Sequence, residues 1–277
     1  MRSPVSSLTI QVVQHVDGDD RRAALAAAVR QASGGTDLVV LPYLGAAPPF
    51  WTRQDRAGYS YAERPPARTV DVVRQTARER AVAAAVSCYE VVAEGVFYAS
   101  VTLIGADGEI VGTYRQAHAV NRPGWHEQLF FQPGTTGGFP IFTVGSARLG
   151  FLLGGDLWVP EAARLLALGG ADVIVAIAGL PMTPFREANA IARVRAIENG
   201  NVVVLANRLG DGVLVGMSQI YDPEGELIES VEMGQPFGVA RIDVKRLAIQ
   251  RQRGQALNLR RPRLYGSLAS GEEGALP

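Results

Sequence analysis

The stretch LLGGDLWVPEAARLLALGGADVIV, residues 152–175, constrains the fold of this chain most strongly. It predicts a short β-strand, a sharp turn, a helix and a second strand. Turns of this kind often carry a nucleophile, because they point one side chain out of the sheet into a pocket. The tip of this turn, which we call the elbow, is Gly154-Gly155, and neither residue has a side chain. The sequence therefore keeps the turn without a reactive group at its tip.

Apolar runs alternate with helix-forming segments along the rest of the chain. Strands are predicted at 8–14, 37–41, 81–89 and 202–206, helices at 20–31, 67–80 and 185–199, and hairpins at 97–115 and 216–229. Several of the strands are apolar on both faces, so both faces of a sheet must be covered. No linker divides the chain. These features predict an α/β protein with a single domain.

Capping residues and one long loop add local detail. Asp19 or Asp20 is expected to cap the first helix, and Asp156 is expected to cap the elbow helix, whose first turn contains Pro160-Glu161. The segment 43–66 is rich in proline, glycine and aromatic residues. Loops of this length usually have a function or line a pocket.

Composition excludes several classes of protein. The 277 residues carry no net formal charge, which disfavours a dedicated nucleic-acid binder. The sequence lacks an apolar run of the roughly 18 residues needed for a membrane span. Its single cysteine, Cys88, cannot form an internal disulfide and fits a cytoplasmic protein. Lys245 is the only lysine.

Three motifs occur in a characteristic order. They are DLVVLPYLGAAPPFW (37–51), GTYRQAHAVNRPGWHEQLFFQPGTTGGF (112–139) and LGFLLGGDLWVPEAARLLALGGADVI (149–174). Their order and spacing resemble the nitrilase, or carbon–nitrogen hydrolase, superfamily. PGWHEQLFFQPG, RAIENGNVVVLANR and LNLRRPRLYG are most similar to the branch of N-carbamoylputrescine and N-carbamyl amino acid amidases.

The resemblance implies a fold and a division of the chain. It implies a four-layer α-β-β-α sandwich over residues 1–253. The C-terminal tail, 254–277, is expected to contact another subunit in part and to be disordered at its end.

The resemblance also implies a catalytic Cys nucleophile, a Glu base and a Lys that stabilises the oxyanion. At the matching positions this chain has Gly154, Tyr43 and Gln116. Gly154 cannot form a covalent intermediate, Gln116 carries no charge, and a phenol is a poor base at neutral pH. A second acid of the family is retained as Glu127.

The remaining cysteine and lysine do not restore this chemistry. Cys88 lies in a predicted strand and is expected in the core, whereas Lys245 is expected in solvent. Two alternatives are open for Tyr43: its ring fills the volume left by the missing groups, or it lines an open pocket. The first alternative predicts a hydroxyl bonded to Gln116 or Glu127.

Other residues near the motifs are candidates for a pocket. They are His126, Gly155, Asp156 and Trp158. The resemblance places Trp51, Trp125 and Trp158 on loops at the pocket, where a tryptophan is expected as a wall rather than as a platform for a substrate. His118 is expected to orient its loop by hydrogen bonds. Glu127 is expected either to be a buried acid held by Arg or backbone N–H groups or to contact a ligand. The spacing of the histidines and acids matches no standard metal site, so neither a metal nor a cofactor is expected.

The sequence thus favours a superfamily member without Cys-Glu-Lys chemistry, a pseudoenzyme that binds a ligand or a partner protein. The alternative is an enzyme with other chemistry that uses Glu127, Tyr43 or His126. An amidase with a displaced triad is the least favoured reading. The apolar stripe Ala162, Leu165 and Leu166 is expected to be buried, either in the core or at a dimer seam. The segment RRPRLY, 260–265, resembles a family tail that crosses to a second subunit, and the alternative is a solvated basic tail. A homodimer or larger oligomer is expected, with no nucleic acid and no membrane among its partners.

Overall fold

Two six-stranded sheets dominate the computed structural model, which describes residues 7–16, 18–134, 137–247 and 255–268. The first sheet has the order β16-β1-β2-β3-β4-β5. Its strands are β1 Ser7–Val13, β2 Leu38–Val40, β3 Ala83–Ala93, β4 Val96–Ile104, β5 Ile110–Arg115 and β16 Phe237–Asp243. Strands β1, β2 and β3 are parallel, and the outer pairs are antiparallel.

The second sheet has the order β15-β14-β11-β10-β9-β8. Its strands are β8 Ile141–Val144, β9 Ala147–Leu153, β10 Val173–Ala178, β11 Val202–Asn207, β14 Gln219–Tyr221 and β15 Leu227–Ser230. The three central strands, β9, β10 and β11, are parallel. Two short ribbons, β6 Asn121–Arg122 with β7 Trp125–His126 and β12 Leu209–Gly210 with β13 Leu214–Val215, lie in the connections.

Four helices cover the outer faces of the sheets: α1 Arg21–Arg30, α2 Arg68–Arg80, α4 Pro160–Leu168 and α5 Met182–Asn199. Two short helices, α3 Glu127–Phe130 and α6 Gln255–Asn258, lie elsewhere. Helices α1 and α2 pack on the first sheet, whereas α4 and α5 pack on the second. The four-layer α-β-β-α sandwich that the resemblance implied is therefore confirmed.

The alternation of side chains along the strands divides the core in two. On β2, Leu38 and Val40 point to the core between the sheets, whereas Val39 packs under α1 and α2. The same period of two places Ala85 and Cys88 of β3 in different cores. Both faces are apolar because both are covered, as the sequence predicted.

Several local predictions are refined by the structure. Asp20 caps α1, and its carboxylate accepts hydrogen bonds from the N–H groups of Arg22 and Ala23. Helix α5 begins at Met182, earlier than the predicted start at residue 185, because Pro184 fits a first helical turn. The long loop 43–66 contains two 3-10 helices, Phe50–Thr52 and Arg56–Tyr61.

The ends of the chain are covered only in part. The predicted boundary between residues 253 and 254 and the predicted disorder at the end of the tail lie outside the described residues. Within the described tail, 3-10 helices span Pro262–Leu264 and Gly266–Leu268, and α6 packs against α5. Among the described residues, no helix is both long and apolar enough to cross a bilayer.

Candidate functional site

The ends of three strands bring the predicted site residues together. Tyr43 lies shortly after β2, Gln116 directly after β5, and Gly154 directly after β9. Both sheets contribute, and the three residues meet in the core between them, where all three are buried. Sequence positions more than a hundred residues apart therefore form one site.

The Tyr43 side chain fills the centre of this site. Its ring is 0 % exposed and packs edge-on against Trp51, with ring centroids 5.0 Å apart. The Trp51 indole N–H donates to the carbonyl oxygen of Gly179 at 3.0 Å, which fixes the ring. The Tyr43 Oη lies 3.0 Å from Gln116 Oε1 and 3.0 Å from Glu127 Oε1. Both of the polar contacts predicted as alternatives for a buried Tyr43 are present.

The carboxyl group of Glu127 lies beneath the Tyr43 hydroxyl and is also 0 % exposed. Its Oε2 accepts hydrogen bonds from Gln116 Nε2 at 2.7 Å, from the Val120 N–H at 3.1 Å and from the Gly155 N–H at 3.3 Å. The prediction of a buried acid is thus correct, with an amide and backbone N–H groups rather than an Arg as partners. Burial raises the pKa of Glu127 to about 7, and the donors of Gln116, Trp125, Val120 and Tyr43 oppose a larger rise.

The elbow leaves no room for a side chain in this arrangement. Gly154 has φ +44°, a left-handed conformation that glycine adopts without strain. A Cβ at this position would lie 2.8 Å from Glu127 Cδ and 2.9 Å from Gln116 Nε2. A Cβ at Gly155 would meet the carbonyl oxygen of His118. The glycines are therefore required by the packing around Glu127.

Asp156 has a different role from the predicted helix cap. The residue before α4 is Val159, which makes no side-chain cap, and Asp156 belongs to the 3-10 helix Gly154–Trp158. Its carboxylate accepts from the Leu153 N–H at 3.0 Å and the Tyr114 hydroxyl at 2.8 Å. It also accepts from the His118 N–H at 2.8 Å. The capping prediction was wrong because Asp156 turns inward and joins the elbow to the segment after β5.

The two histidines near the site have unequal positions. His118 Nδ1 lies 2.9 Å from Asp156 Oδ1, which raises the pKa of His118 although burial lowers it. This contact orients the loop after β5, as the sequence predicted. His126 faces the surface, where its Nδ1 contacts Asn121 Oδ1 at 3.0 Å. The structure therefore does not bring His126 together with Tyr43 and Glu127.

The tryptophans form walls of unequal exposure. Trp125 is fully buried next to Trp158, with ring centroids 4.7 Å apart. Trp158 is half-buried, and its indole N–H donates to Glu187 at the surface. Trp158 is thus a boundary of the site rather than a residue inside it.

The only thiol and the only ammonium group of the chain lie elsewhere. Cys88 is buried in the core beneath α1 and α2, on the far side of the first sheet. Burial raises the pKa of its thiol well above the usual range, and the charges of Glu63 and Glu90 raise it further. Lys245 follows β16 and is exposed, as predicted. Neither residue supplies a nucleophile or a cation at the elbow.

One buried cation, missed by the sequence reasoning, holds the loop that carries Tyr43. Arg208 Nη1 donates to the carbonyl oxygens of Tyr43 at 3.2 Å, Leu44 at 3.1 Å and Ala47 at 2.9 Å. Burial lowers the pKa of Arg208 to about 10, so the guanidinium remains charged at neutral pH. The motif that ends in this residue, LANR, is the sequence signal that could have identified it.

Comparison with known proteins assigns the family. Residues 13–252 match the carbon-nitrogen hydrolase family. This chain is a member of that family. Among its relatives is N-carbamoylputrescine amidase of Arabidopsis thaliana, 32 % identical over 216 residues that cover 71 % of this chain and 72 % of the relative. The Solanum lycopersicum N-carbamoylputrescine amidase is 29 % identical over 282 residues and 93 % of each chain.

A solved structure gives the same assignment. The carbon-nitrogen hydrolase from Helicobacter pylori G27 superposes on this chain with a TM-score of 0.87 and 25 % identity. The match covers 96 % of this chain and 99 % of that one. The resemblance of the motifs to the superfamily and to its N-carbamoylputrescine amidase branch is confirmed.

The chemistry open to this carbon-nitrogen hydrolase relative follows from the groups in the site. Among the described residues, no group of three or more His, Cys, Asp and Glu side chains could hold a metal ion. The side chains that meet above Gly154 are a phenol, an amide and a carboxyl group, all bonded to one another. They can exchange protons, but none of them is a strong nucleophile at neutral pH.

Proposed function

We propose that this carbon-nitrogen hydrolase relative does not hydrolyse carbon–nitrogen bonds and acts as a structural, self-associating subunit. The observation that carries the proposal is the position of Tyr43, whose buried ring occupies the space above Gly154. A substrate carbonyl carbon would have to lie in that space to be attacked from the elbow. Because the site is closed, we favour a chain that binds a partner protein at its surface over one that binds a small ligand in its interior.

The names of the relatives supply the substrates for the test. We would incubate the purified chain with N-carbamoylputrescine, N-carbamyl amino acids, simple amides and nitriles, and measure ammonia release. We expect no release above that of heat-killed protein, because the site offers neither a thiolate nor a cation for the oxyanion. Release that scales with protein concentration overturns the proposal.

Two variants identify the source of any activity. Cys88→Ser removes the single thiol, so its loss of activity would identify an amidase with a displaced nucleophile. Glu127→Gln removes the carboxyl group of the closed site. Activity that survives Cys88→Ser and is lost in Glu127→Gln would identify the alternative, an enzyme with different chemistry.

One observation favours this alternative enzyme as a second candidate. The pKa of Glu127 is raised by burial to about 7, the range in which a carboxyl group works as a general acid or base at neutral pH. A catalytic group must also reach a substrate. The oxygens of Glu127 already contact four donors or acceptors, and the side chain is 0 % exposed. We therefore favour the non-hydrolytic subunit with a closed site over an enzyme that uses Glu127.

The surface that we propose for self-association lies on α4 and α5. Leu165 and Leu168 of α4 are 51 % and 46 % exposed, and Val194 and Ile197 of α5 are 49 % and 50 % exposed. Ala162 and Leu166 of the same predicted stripe are buried in the core of this chain, whereas Leu165 is exposed, which leaves the dimer seam as the alternative for that residue. Exposed aliphatic side chains on two adjoining helices are typical of an interface.

Sedimentation equilibrium tests this surface. The wild-type chain is expected to sediment as a dimer or larger species at micromolar concentration, and Ile197→Glu is expected to shift it to the monomer. Val111→Glu is the matched control, because Val111 is 49 % exposed on the edge strand β5 of the other sheet. A wild-type monomer at high micromolar concentration, or equal effects of the two variants, contradicts the proposed surface.

A further inference from the structure

The hydrogen atoms available around the Tyr43 hydroxyl do not match the acceptors that surround it. Gln116 Nε2 donates its two hydrogens to the His118 carbonyl oxygen at 2.9 Å and to Glu127 Oε2 at 2.7 Å. This fixes the amide so that its Oε1 faces Tyr43 Oη. The hydroxyl then lies 3.0 Å from two acceptor oxygens, of Gln116 and of Glu127, with one hydrogen to donate.

With Glu127 ionised, one of these contacts joins two oxygens without a hydrogen between them. The hydroxyl would donate to the charged carboxylate, since charge-assisted hydrogen bonds are the stronger ones. Gln116 Oε1 would then face an oxygen lone pair in a site from which water is excluded. A buried acceptor without a donor is destabilising.

A proton on Glu127 Oε1 removes this mismatch. Glu127 then donates to Tyr43 Oη, Tyr43 donates to Gln116 Oε1, and Gln116 Nε2 donates to Glu127 Oε2. The three side chains form a closed ring in which every hydrogen bond has one donor and one acceptor. The backbone N–H groups of Val120 and Gly155 are unaffected, because they donate to Oε2.

The charges around the ring also favour a neutral carboxyl group. The titratable or charged residues on the elements packed here are Tyr43, Tyr114, Arg115, His118, Arg122, His126, Asp156, Arg195 and Arg208. Arg115 pairs with Glu90, Arg122 with Glu187 and Arg195 with Glu198. Among the described residues, no Lys, Arg or His side chain donates to Glu127. His118 is bonded to Asp156, and Arg208 is bonded to loop carbonyl oxygens and to Asp211. Burial raises the pKa of Tyr43 well above 10, so this residue remains a donor.

We propose that Glu127 carries a proton in the closed site, and that this proton latches Tyr43 over the elbow and is released as the pH rises. The inference rests on the closed site proposed above and adds its regulation. It makes the chain pH-sensitive through a group that solvent does not reach in the folded state. Loss of the proton breaks the closed set of hydrogen bonds among Glu127, Tyr43 and Gln116. The aromatic ring of Tyr43 is then held less tightly above the elbow.

The sign of the effect follows from linkage. An unfolded Glu titrates near 4.5, and the folded-state pKa of Glu127 is raised to about 7. A group with a raised folded-state pKa contributes its full stability below pH 4.5 and loses it as the pH rises through 7. Between these values one proton is bound on folding, so the unfolding equilibrium constant is expected to rise about tenfold per pH unit from this group.

The matched variant for the neutral acid is Glu127→Gln. Its amide can donate one Nε2 hydrogen to Tyr43 Oη and accept at Oε1 from Gln116, Val120 and Gly155, but its second Nε2 hydrogen has no counterpart in the protonated acid. We therefore expect the stability of this variant relative to the wild type to rise from pH 5 to pH 9, where the variant is the more stable of the two. Urea unfolding at both pH values measures the difference. Glu94→Gln, the same change at an exposed residue of the turn between β3 and β4, is expected to leave the pH profile unchanged.

Infrared spectroscopy reads the proton directly in the wild-type chain. At pH 6 surface carboxyl groups are ionised, so we expect a protonated-carboxyl C=O band that titrates near pH 7 and is absent in Glu127→Gln. This measurement stands even if the variant fails to fold. A wild type without the band at pH 6, or a variant that is less stable than the wild type at pH 9, overturns the proposal.

The outcomes also separate this inference from the proposed function. An ionised Glu127 together with no ammonia release would contradict the protonated latch and support the proposal of a non-hydrolytic subunit. Ammonia release together with the infrared band would support the protonated Glu127 and contradict the non-hydrolytic subunit.

Discussion

Two fully buried carboxyl groups flank the elbow, and their surroundings differ. Both oxygens of Asp156 face donors: Oδ1 faces the Ala117 N–H, the His118 N–H and His118 Nδ1, and Oδ2 faces the Tyr114 hydroxyl and the Leu153 N–H. Only one oxygen of Glu127 is surrounded by donors, and the other shares a single hydroxyl with Gln116. Asp156 is therefore a fixed acceptor that organises the backbone, whereas Glu127 is matched to its surroundings as a neutral acid.

The largest expected effect that sharpens this comparison is that of Asp156→Asn. Whichever oxygen the new NH₂ group replaces, it faces at least two donors, so we expect a loss of about 3–5 kcal/mol in the free energy of unfolding. The equivalent change at the other carboxyl, Glu127→Gln, should not destabilise the chain at pH 7, because ionisation of the wild-type Glu127 already costs stability at that pH. Urea unfolding of the two variants side by side tests the difference. Equal losses would show that the two groups are bonded alike.

A smaller effect is expected for Gly154→Ala. The new Cβ would press on Glu127 and Gln116, and the backbone has positive φ, so we expect a loss of about 2–3 kcal/mol. Gly34→Ala is the control, because a Cβ at Gly34 meets no atom within 4 Å and its φ is ordinary. Thermal unfolding in which the two variants behave alike would indicate that the site is looser than described.

Tyr43→Phe removes the hydroxyl alone. The aromatic ring stays in place, and the hydrogen bonds that join Tyr43 to Gln116 and Glu127 are lost. We expect a loss of about 1–2 kcal/mol, since Gln116 Oε1 loses its donor. Tyr61→Phe, at a tyrosine that is 41 % exposed, should change the stability by less than about 0.5 kcal/mol. The difference between the two variants in urea unfolding isolates the buried hydroxyl, and no difference would contradict its bonds to Gln116 and Glu127.

The smallest effect concerns His118. The hydrogen bond to Asp156 raises the pKa of His118 above that of an unfolded His, so its ion pair contributes stability below about pH 6.5 and loses it as the pH rises. The ring is partly exposed, so we expect less than about 1 kcal/mol. Replacement by Asn keeps a donor near the position of Nδ1 and should flatten this part of the profile between pH 6 and 9. If the wild type instead gains stability relative to His118→Asn as the pH rises from 6 to 9, the expected direction of the His118 contribution is wrong.

The sequence predicts the positions in the site better than it predicts their bonds. Strand ends and the family motifs place Tyr43, Gln116 and Gly154 together, and the burial of Tyr43 follows from the missing groups. The ring of hydrogen bonds depends on the orientation of the Gln116 amide, which the His118 carbonyl fixes through a tertiary contact. No periodicity along the chain carries that information.

Two errors of the sequence reasoning have the same origin. Asp156 has the spacing of a helix cap, yet its strongest partners lie after β5, about 40 residues earlier in the chain. Arg208 binds carbonyl oxygens of the loop that holds Tyr43, and carbonyl oxygens leave no trace in a pattern of side chains. Polar groups that act on distant backbone atoms are found only once the fold is known.

The closed site depends most directly on the Tyr43 ring that fills it, and calorimetry of Tyr43→Ala without and with phenol tests this role. We predict a loss of about 3–5 kcal/mol on truncation, as for a large core residue, and a melting temperature that phenol partly restores by occupying the cavity. Phenol should leave the melting temperature of the wild type unchanged. A Tyr43→Ala chain that melts like the wild type, with or without phenol, would contradict the closed site and indicate an open pocket.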